Sequence, residues 1–434
     1  MQFHSTNKKS KYFKIADVLR LGLAPDKGLF MPDTWPNLPS SFFKKIQNLS
    51  FGQIAFAVAK KFILEIPDRQ LKNIIKDVFN FPVPLKRIED NLFVLELFHG
   101  PTMAFKDFGA RFLSRSLSYF SKFTPGNLNI IVATSGDTGS AVASGFFNVP
   151  NIRVFILYPS GKVSRLQEKQ LTTYGRNVTA VEVLGNFDDC QKLAKQILAD
   201  DELNSVMKFS SANSINFGRL LPQSFYYFWA LAELRRLNIN QSPVIVVPSG
   251  NFGNLFAGLM AKKMGLPVFK FVAATNSNNI VPKFLKSGNF SPKKSKKTIS
   301  NAMDVGNPSN FVRILEIFKG NRKTMAQAIA GLSINDSLTK KTIKDVYNKT
   351  GYVLDPHTAV GVAAARQYQK YDKKHPLVVL STAHPAKFGE IVESLIGKKI
   401  TLPFQLASVA KKQKKSFVIE ANLESLKKFL LIRK

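Results

Sequence analysis

One cysteine in 434 residues, Cys190, leaves no possibility of an internal disulfide, so stability has to come from packed cores. That usage suits a reducing compartment, and a cytoplasmic location is expected. Cys190 itself lies in a helix-like stretch, Asp188-Asp189-Cys190-Gln191-Lys192-Leu193, and reads as inert packing. Histidine is scarce too. Five His and one Cys show no ligand spacing and no H-E-x-x-H occurs, so no metal site is expected. G-x-S-x-G, G-x-G-x-x-G and G-x-x-x-x-G-K-[ST] are all missing, which removes the fingerprints of a hydrolase elbow, a dinucleotide site and a nucleoside-triphosphate loop. Apolar runs such as Pro243–Pro248 have strand length, well short of the roughly 20 residues that span a bilayer. The basic N-terminus, Met1 to Lys14, carries no apolar core region, so neither a membrane span nor a signal peptide is expected.

Acidic residues are few as well. Asp and Glu number 29 against 62 Lys and Arg, a formal charge of +33. A field of that sign admits a nucleic-acid-binding protein as one reading. The other is composition: 37 Phe beside 2 Trp, with abundant Lys and Asn, is the pattern of AT-rich coding. The basic residues are spread along the chain, and their densest cluster, Lys293–Lys297, lies in a Ser/Pro/Gly-rich segment with the character of a solvated loop. No nucleic-acid partner is therefore expected, and a basic field would equally draw in a phosphorylated metabolite.

What remains is ordinary globular composition, 45% hydrophobic and 21% charged, with length for two or three domains. Strand-like runs at Phe93–Phe98, Ile130–Ala133, Val154–Tyr158, Val178–Leu184, Val244–Val247, Phe269–Ala274 and Leu377–Leu380 alternate with amphipathic stretches. The latter are Asp107–Phe120, Asp188–Leu198, Phe217–Leu234, Leu255–Met264 and Thr358–Tyr368. Such alternation predicts α/β architecture with parallel sheets covered by helices. Residues 1–90 lean helical and are expected to form a separate N-terminal lobe. A smaller α/β domain is expected over 91–235 and a larger one over 236–434, the latter ending in a basic tail, Lys411–Lys434.

Five segments carry chemistry. Lys106 sits in Phe98-His99-Gly100-Pro101-Thr102-Met103-Ala104-Phe105-Lys106-Asp107-Phe108-Gly109. An amine held in an apolar turn loses its proton readily and becomes a nucleophile. The alternative is a surface lysine beside Asp107 acting as a helix cap. Thr134-Ser135-Gly136-Asp137-Thr138-Gly139-Ser140 follows a strand and opens a helix, an anion site of carboxylate size or a simple cap. Ser211–Arg219 packs two amides, a hydroxyl and a guanidinium into a short span, either a phosphate fork or a turn with a surface Arg. In Pro248-Ser249-Gly250-Asn251-Phe252-Gly253-Asn254, Gly250 and Gly253 permit positive φ and close approach of a phosphate. Finally, Ser381-Thr382-Ala383-His384-Pro385-Ala386-Lys387-Phe388 puts hydroxyls at a strand's C-terminal end, where α/β sheets bind ligands. His384 and His357 read as structural. A reactive lysine plus a phosphate cradle is what pyridoxal 5'-phosphate requires, and Thr382 is placed to bond its ring nitrogen.

In this order, with Asn301-Ala302-Met303-Asp304 between the last two, the segments resemble the threonine synthases over nearly the whole chain. The resemblance implies the pyridoxal-phosphate fold type II (tryptophan-synthase-β-like), two parallel-sheet α/β domains with an extra N-terminal lobe. It implies conversion of O-phospho-L-homoserine and water to L-threonine and phosphate. Lys106 would then be the imine-forming residue and proton shuttle. Gly250, Asn251, Phe252, Gly253 and, where close relatives often have Asp, Asn254 would hold the cofactor phosphate, with Thr382 at the ring nitrogen. Asp137 would lie beside the cofactor 3′-oxygen, where many fold relatives carry Asn. Ser135, Gly136 and Thr138 would take the substrate carboxylate; Asn213, Ser214, Asn216 and Arg219 would take its phosphate. A serine or threonine dehydratase of the same fold is the nearest alternative, though it has no use for a second phosphate site. The enzyme is expected to be a monomer or homodimer.

Overall fold

The computed structural model describes residues 1–9, 11–123 and 126–433. Its strands are β1 (Phe3–Ser5), β2 (Phe30–Pro32), β3 (Leu85–Glu89), β4 (Leu92–Glu96), β5 (Leu128–Ala133), β6 (Ile152–Pro159), β7 (Val178–Leu184), β8 (Phe209–Ser211), β9 (Val244–Pro248), β10 (Lys270–Thr275), β11 (Ile329–Ser333), β12 (Leu377–Ser381) and β13 (Phe417–Glu420). The two main sheets run β11-β10-β9-β12-β4-β3 and β13-β7-β6-β5-β8, and every neighbouring pair in them is parallel except β3 with β4. β4, β5, β9 and β12 are buried at each position. Continuous Val/Ile/Leu runs of this kind belong to strands covered on both faces, which is why period-2 alternation is absent from them.

Strand order fixes where ligands can bind. In the smaller sheet the chain moves outward from β5 through β6 to β7, then returns to the other side of β5 with β8. The larger sheet does the same around β9, with β10 and β11 on one side and β12 on the other. At such reversals the following loops diverge and leave a crevice at the strands' C-terminal ends. The loops after β5 and β8, and those after β9 and β12, are the chemistry-bearing segments. The loop after β4, β12's other neighbour, leads into Lys106.

The sheets cut across the divisions expected at 91–235 and 236–434. β4 pairs with β12, so residues 92–96 lie in the larger sheet, and β13 pairs with β7, so residues 417–420 close the edge of the smaller one. Non-local pairing of this kind leaves no trace in local sequence. The expected helix Phe217–Leu234 is also broken. Pro222, which has no N–H to donate, sits in a 3-10 turn, Leu221–Ser224, between helices Phe217–Leu220 and Phe225–Arg236. The N-terminal segment does lean helical, its helix Phe51–Phe62 opening on a Ser50–Gln53 capping box. Its core is not separate: Ile54, Val58 and Phe62 share one apolar cluster with Phe108, Phe217 and Phe256. Cys190 is fully buried among Leu193, Ile197 and Leu430, and burial pushes its thiol up to about 12, so it is inert.

The basic C-terminal stretch, whose last residue, Lys434, lies outside the described residues, packs as β13 plus a helix, Leu423–Leu431. Leu426 and Leu430 are fully buried against Val181, Val183 and Cys190. Leu426→Ala should cost about 2–4 kcal/mol in a denaturant melt. A loss below about 0.5 kcal/mol would mean that this helix is not part of the core.

Candidate active site

The Lys106 turn is stitched to the end of β12. Phe105 N–H donates to Thr382 O at 2.9 Å, His384 N–H donates to Met103 O at 3.0 Å, and Ala104 bridges Ala383. These bonds bring the predicted imine lysine and the predicted ring-nitrogen hydroxyl, 276 positions apart, onto one platform. Met103 pays for the tight path with a left-handed backbone, φ 56°. Lys106 begins the helix Lys106–Ser121, and no side chain caps that end.

Asp107 is not a cap. Its carboxylate is buried and turns back to accept from Thr102 N–H at 2.8 Å and Thr102 Oγ1 at 2.6 Å, locking the Gly100–Thr102 turn. A Cβ on Gly100 would come within 2.5 Å of Asp107 Oδ2, which is why glycine stands there. Burial raises the Asp107 carboxyl to about 6, against the pull of the Thr102 bonds and of Lys387.

The central charge is Asp137. Lys387 Nζ approaches its Oδ1 at 2.6 Å, Gln167 Nε2 donates to the same oxygen at 2.9 Å, and Lys106 Nζ stands 3.6 Å from Oδ2. Burial alone would raise the Asp137 pKa, but the nearby Lys387 and Lys106 and the hydrogen bonds from Lys387 and Gln167 hold it well below the usual carboxylate range, so it is ionised. Lys106 moves the other way. Burial lowers its pKa, Asp137 opposes that shift, and Lys387 and Arg219 reinforce it. Only 17% of the Lys106 side chain is exposed. A buried amine with a lowered pKa is the state a nucleophilic lysine needs.

Ser135 is exposed and Thr138 half-buried, and neither hydroxyl has a protein partner among the described residues. Gly136 differs: its N–H donates to Thr134 Oγ1 at 3.0 Å, as does that of Gly139 at 2.8 Å. Thr134 is thus the cap of the helix Asp137–Phe146, and the Gly136 amide is already committed. Glycine is needed at 136 because its φ is 145° and a Cβ would meet the Gln167 carboxamide at 2.8 Å.

Beyond β8, Asn213 Nδ2 donates to Ala133 O at 3.2 Å and Ser214 Oγ accepts from Asn251 Nδ2 at 2.6 Å, joining the β8 loop to the β5 and β9 loops. Arg219 is buried beside the Lys106 helix, with a guanidinium nitrogen on Ala212 O, Nε unpartnered, and a pKa pushed down by burial to about 10. Asn216 is set apart from the group. Its amide donates to Leu19 O and Ser211 O and its oxygen caps Gly218 N–H, so its polar atoms are spent on structure.

In the glycine loop the left-handed residue is Phe252, φ 62°, and not Gly250 or Gly253. Both glycines answer instead to close approach by protein neighbours: a Cβ on Gly250 would meet Met303 Cα at 2.8 Å, and one on Gly253 would meet Leu220 at 2.8 Å. Helix Gly253–Lys263 starts at Phe252 without a side-chain cap, so its first amides point outward unclaimed by one. Asn251 braces the loop through Ser214 and Ser309 N–H. Asn254 faces inward and accepts from the Tyr226 and Tyr227 hydroxyls, its Nδ2 left unpartnered. His384 is structural, accepting from Ala386 N–H, and burial lowers its imidazole to about 4. His357 Nδ1 meets Asp355 and its Nε2 accepts from Ala302 N–H.

Lys387 is the participant that sequence reasoning missed. It lies within Ser381–Phe388, but a lysine after Pro-Ala carries no local mark of complete burial, and only pairing with Asp137 reveals it. Gln167 and Thr134 were missed for the same reason.

A buried amine beside an ionised carboxylate, a free hydroxyl at Thr382 and an uncapped helix N-terminus after a tight turn together fit the aldehyde, ring and phosphate of pyridoxal phosphate. Comparisons with known proteins agree. Residues 78–383 match the family model described as pyridoxal-phosphate dependent enzyme, residues 2–79 the threonine synthase N terminus and 358–430 the threonine synthase C-terminal region. The threonine synthase of Buchnera aphidicola subspecies Acyrthosiphon pisum is 41% identical, over 99% of this chain and 100% of its own. The crystal structure of the Escherichia coli threonine synthase superposes with a TM-score of 0.92 at 40% identity, covering 100% of both chains. That of the PLP-bound threonine synthase from Brucella melitensis gives 0.92 at 34% identity, covering 99% and 98%.

The Asp107 shift has a measurable consequence. Between about pH 4 and pH 6 the folded chain holds a proton on Asp107 that the unfolded chain releases, so this group's contribution to stability falls as pH rises through that window. Asp107→Asn should lack that component, so the stability difference between wild type and variant should change by about 2 kcal/mol from pH 4 to pH 6 and level off above. A constant difference across the window would rule out the raised pKa.

Proposed function

This chain belongs to the threonine synthase family of pyridoxal-phosphate-dependent enzymes, and from that premise we propose how its own residues divide the work. The reaction is conversion of O-phospho-L-homoserine and water to L-threonine and phosphate, with pyridoxal 5'-phosphate as cofactor. When bound, the cofactor supplies an electron sink that makes protons on the substrate carbons removable. Lys106 holds and moves those protons. Burial lowers its pKa toward a proton-accepting amine, and its place at the head of a helix would hold it at the reacting carbons. The single observation that carries this assignment is the Lys106 amine, buried beside an ionised Asp137 and fixed to the Thr382 platform.

The Ser135 and Thr138 hydroxyls take the substrate carboxylate, on a loop that Thr134 holds closed from below. Arg219, Asn213 and Ser214 take the substrate phosphate, with Asn216 as the residue that sets the turn. Gly250, Asn251, Phe252 and Gly253 would hold the cofactor phosphate through the amides around the start of helix Gly253–Lys263, and Thr382 would offer its hydroxyl to the ring nitrogen. Asn254 acts from behind, anchoring the loop to Tyr226 and Tyr227. A neutral hydroxyl there would leave that nitrogen less fully protonated than a carboxylate would. Asp137 belongs beside the cofactor's 3′-oxygen, its charge already balanced by lysine. The same reading puts the enzyme in the cytoplasm, as a monomer or homodimer, without a nucleic-acid partner.

The decisive experiment is the visible spectrum of the purified chain with borohydride trapping and mapping of the labelled peptide. The label is expected on Lys106, and Lys106→Ala should lose the imine band and at least about 1,000-fold in kcat. A label elsewhere would overturn the assignment. O-phosphohomoserine should turn over with release of phosphate; release of ammonia from threonine or serine instead would sink the substrate reading. Arg219→Ala should lower kcat/KM about 10- to 100-fold, as expected for a lost charged hydrogen bond, with the imine band intact. Loss of that band would move Arg219 to the cofactor.

A further inference from the structure

Two lysines share one buried carboxylate, and their distances to it are unequal. Lys387 Nζ lies 2.6 Å from Asp137 Oδ1 and also donates to Thr102 O at 2.9 Å. Its side chain has no exposure. Lys106 Nζ is 3.6 Å from Oδ2, longer than a normal N–H···O bond, and 5.7 Å from the centre of the Phe105 ring. Gln167 adds a neutral donor to the oxygen that Lys387 already holds. The carboxylate is therefore closed on one side and open toward Lys106.

We propose that Lys387 is the permanent cation of the site: by closing the ion pair with Asp137 it leaves Lys106 as the neutral amine, and by bonding Thr102 O it fixes the turn from which Lys106 projects. Lys387 acts through Asp137 and Thr102, so it is a positioning residue. The inference rests on the reading of Lys106 as the imine lysine.

The surrounding charges support this division. Asp137, Lys387 and Arg219 act on Lys106; Asp107, from the same helix, spends both oxygens on Thr102 and faces Lys387, Arg111 and Arg219 instead. His384, on the Lys387 segment, is kept neutral by burial and by His99. Among the described residues Asp137 is the carboxylate that acts on Lys106, and it is shared with Lys387, which Asp107 faces as well. A buried carboxylate stabilises one ammonium well and a second poorly, because the second must also overcome the repulsion of the first. The better-placed amine keeps the proton.

Lys387→Gln removes the charge and keeps an N–H donor, one bond shorter in reach. The measurement is the pH dependence of Lys106 acetylation by acetic anhydride in the full-length, cofactor-free chain, followed by peptide mass mapping, with the pH titration of the imine band in the loaded enzyme beside it. The midpoint for Lys106 should rise by about one to two pH units, a roughly 10- to 100-fold slower labelling at a fixed pH below it. Lys387→Arg should restore the wild-type midpoint. A purely structural Lys387 would lower the melting temperature and leave the midpoint in place, and an unshifted midpoint in folded Lys387→Gln would overturn the proposal. Should that variant not fold, 15Nζ resonances of the wild-type lysines decide: Lys387 is expected to remain ammonium to higher pH than Lys106, and the reverse order refutes it. Borohydride label on Lys387 in wild type would remove the Lys106 reading and this inference together, whereas label on Lys106 with an unshifted midpoint removes only this one.

Discussion

The Asp137 carboxylate is the interaction on which the rest of the site depends. It opens the helix after β5 of the smaller sheet, while its partners Lys106 and Lys387 follow β4 and β12 of the larger one. A charge of that kind is costly to bury and tolerable only when paired and hydrogen-bonded, so the two sheets must meet in one arrangement to satisfy it. Gln170 adds a bond from the same side to Thr102 O. The ion pair therefore joins the two sheets' loops, and its charges act on the Lys106 amine between them.

The neighbouring loops show how the chain reserves polar groups for ligands. Beside the smaller sheet, helices Arg165–Thr172 and Phe187–Leu198 are capped by the side chains of Ser164 and Asn186. Helix Gly253–Lys263 is not, and its entry residue, Phe252, takes a left-handed backbone that a phenylalanine rarely adopts. Unclaimed amides and local strain coincide where we propose that the cofactor phosphate is held. At the end of β5 the opposite choice is made: Thr134 claims two amides, while the hydroxyls of Ser135 and Thr138 have no protein partner among the described residues. Surplus positive charge over the whole surface is a separate matter, since the groups that govern the site are buried and balanced locally.

Much of this was legible beforehand. The strands Ile130–Ala133, Val178–Leu184 and Val244–Val247 were visible because buried parallel strands are written as unbroken β-branched runs. Lys106, Ser135 and Thr382 were visible because each follows such a run in a Gly- or hydroxyl-rich turn. β3, β8 and β13 were not, being short or edge strands whose pairing partners lie far away in sequence. Asn216 looked like a phosphate ligand because an amide in a turn has the same letter whether it faces a ligand or caps a helix. The positive φ expected at Gly250 and Gly253 fell on Phe252, since a glycine kept for close packing is indistinguishable in sequence from one kept for its torsions.

The order of motifs along the chain determined by itself the family, the cofactor and the lysine to suspect, because those depend on residue type and on neighbours within a few positions. Tertiary structure decided the ionisation of Asp137 and the downward shift of Lys106. Whether Asp137 is ionised, whether Lys106 is neutral and which lysine carries the balancing proton depend on burial and on distances between residues 31 to 281 positions apart. Electrostatic energy falls with separation in space and takes no account of separation in sequence, so only the folded chain could settle them.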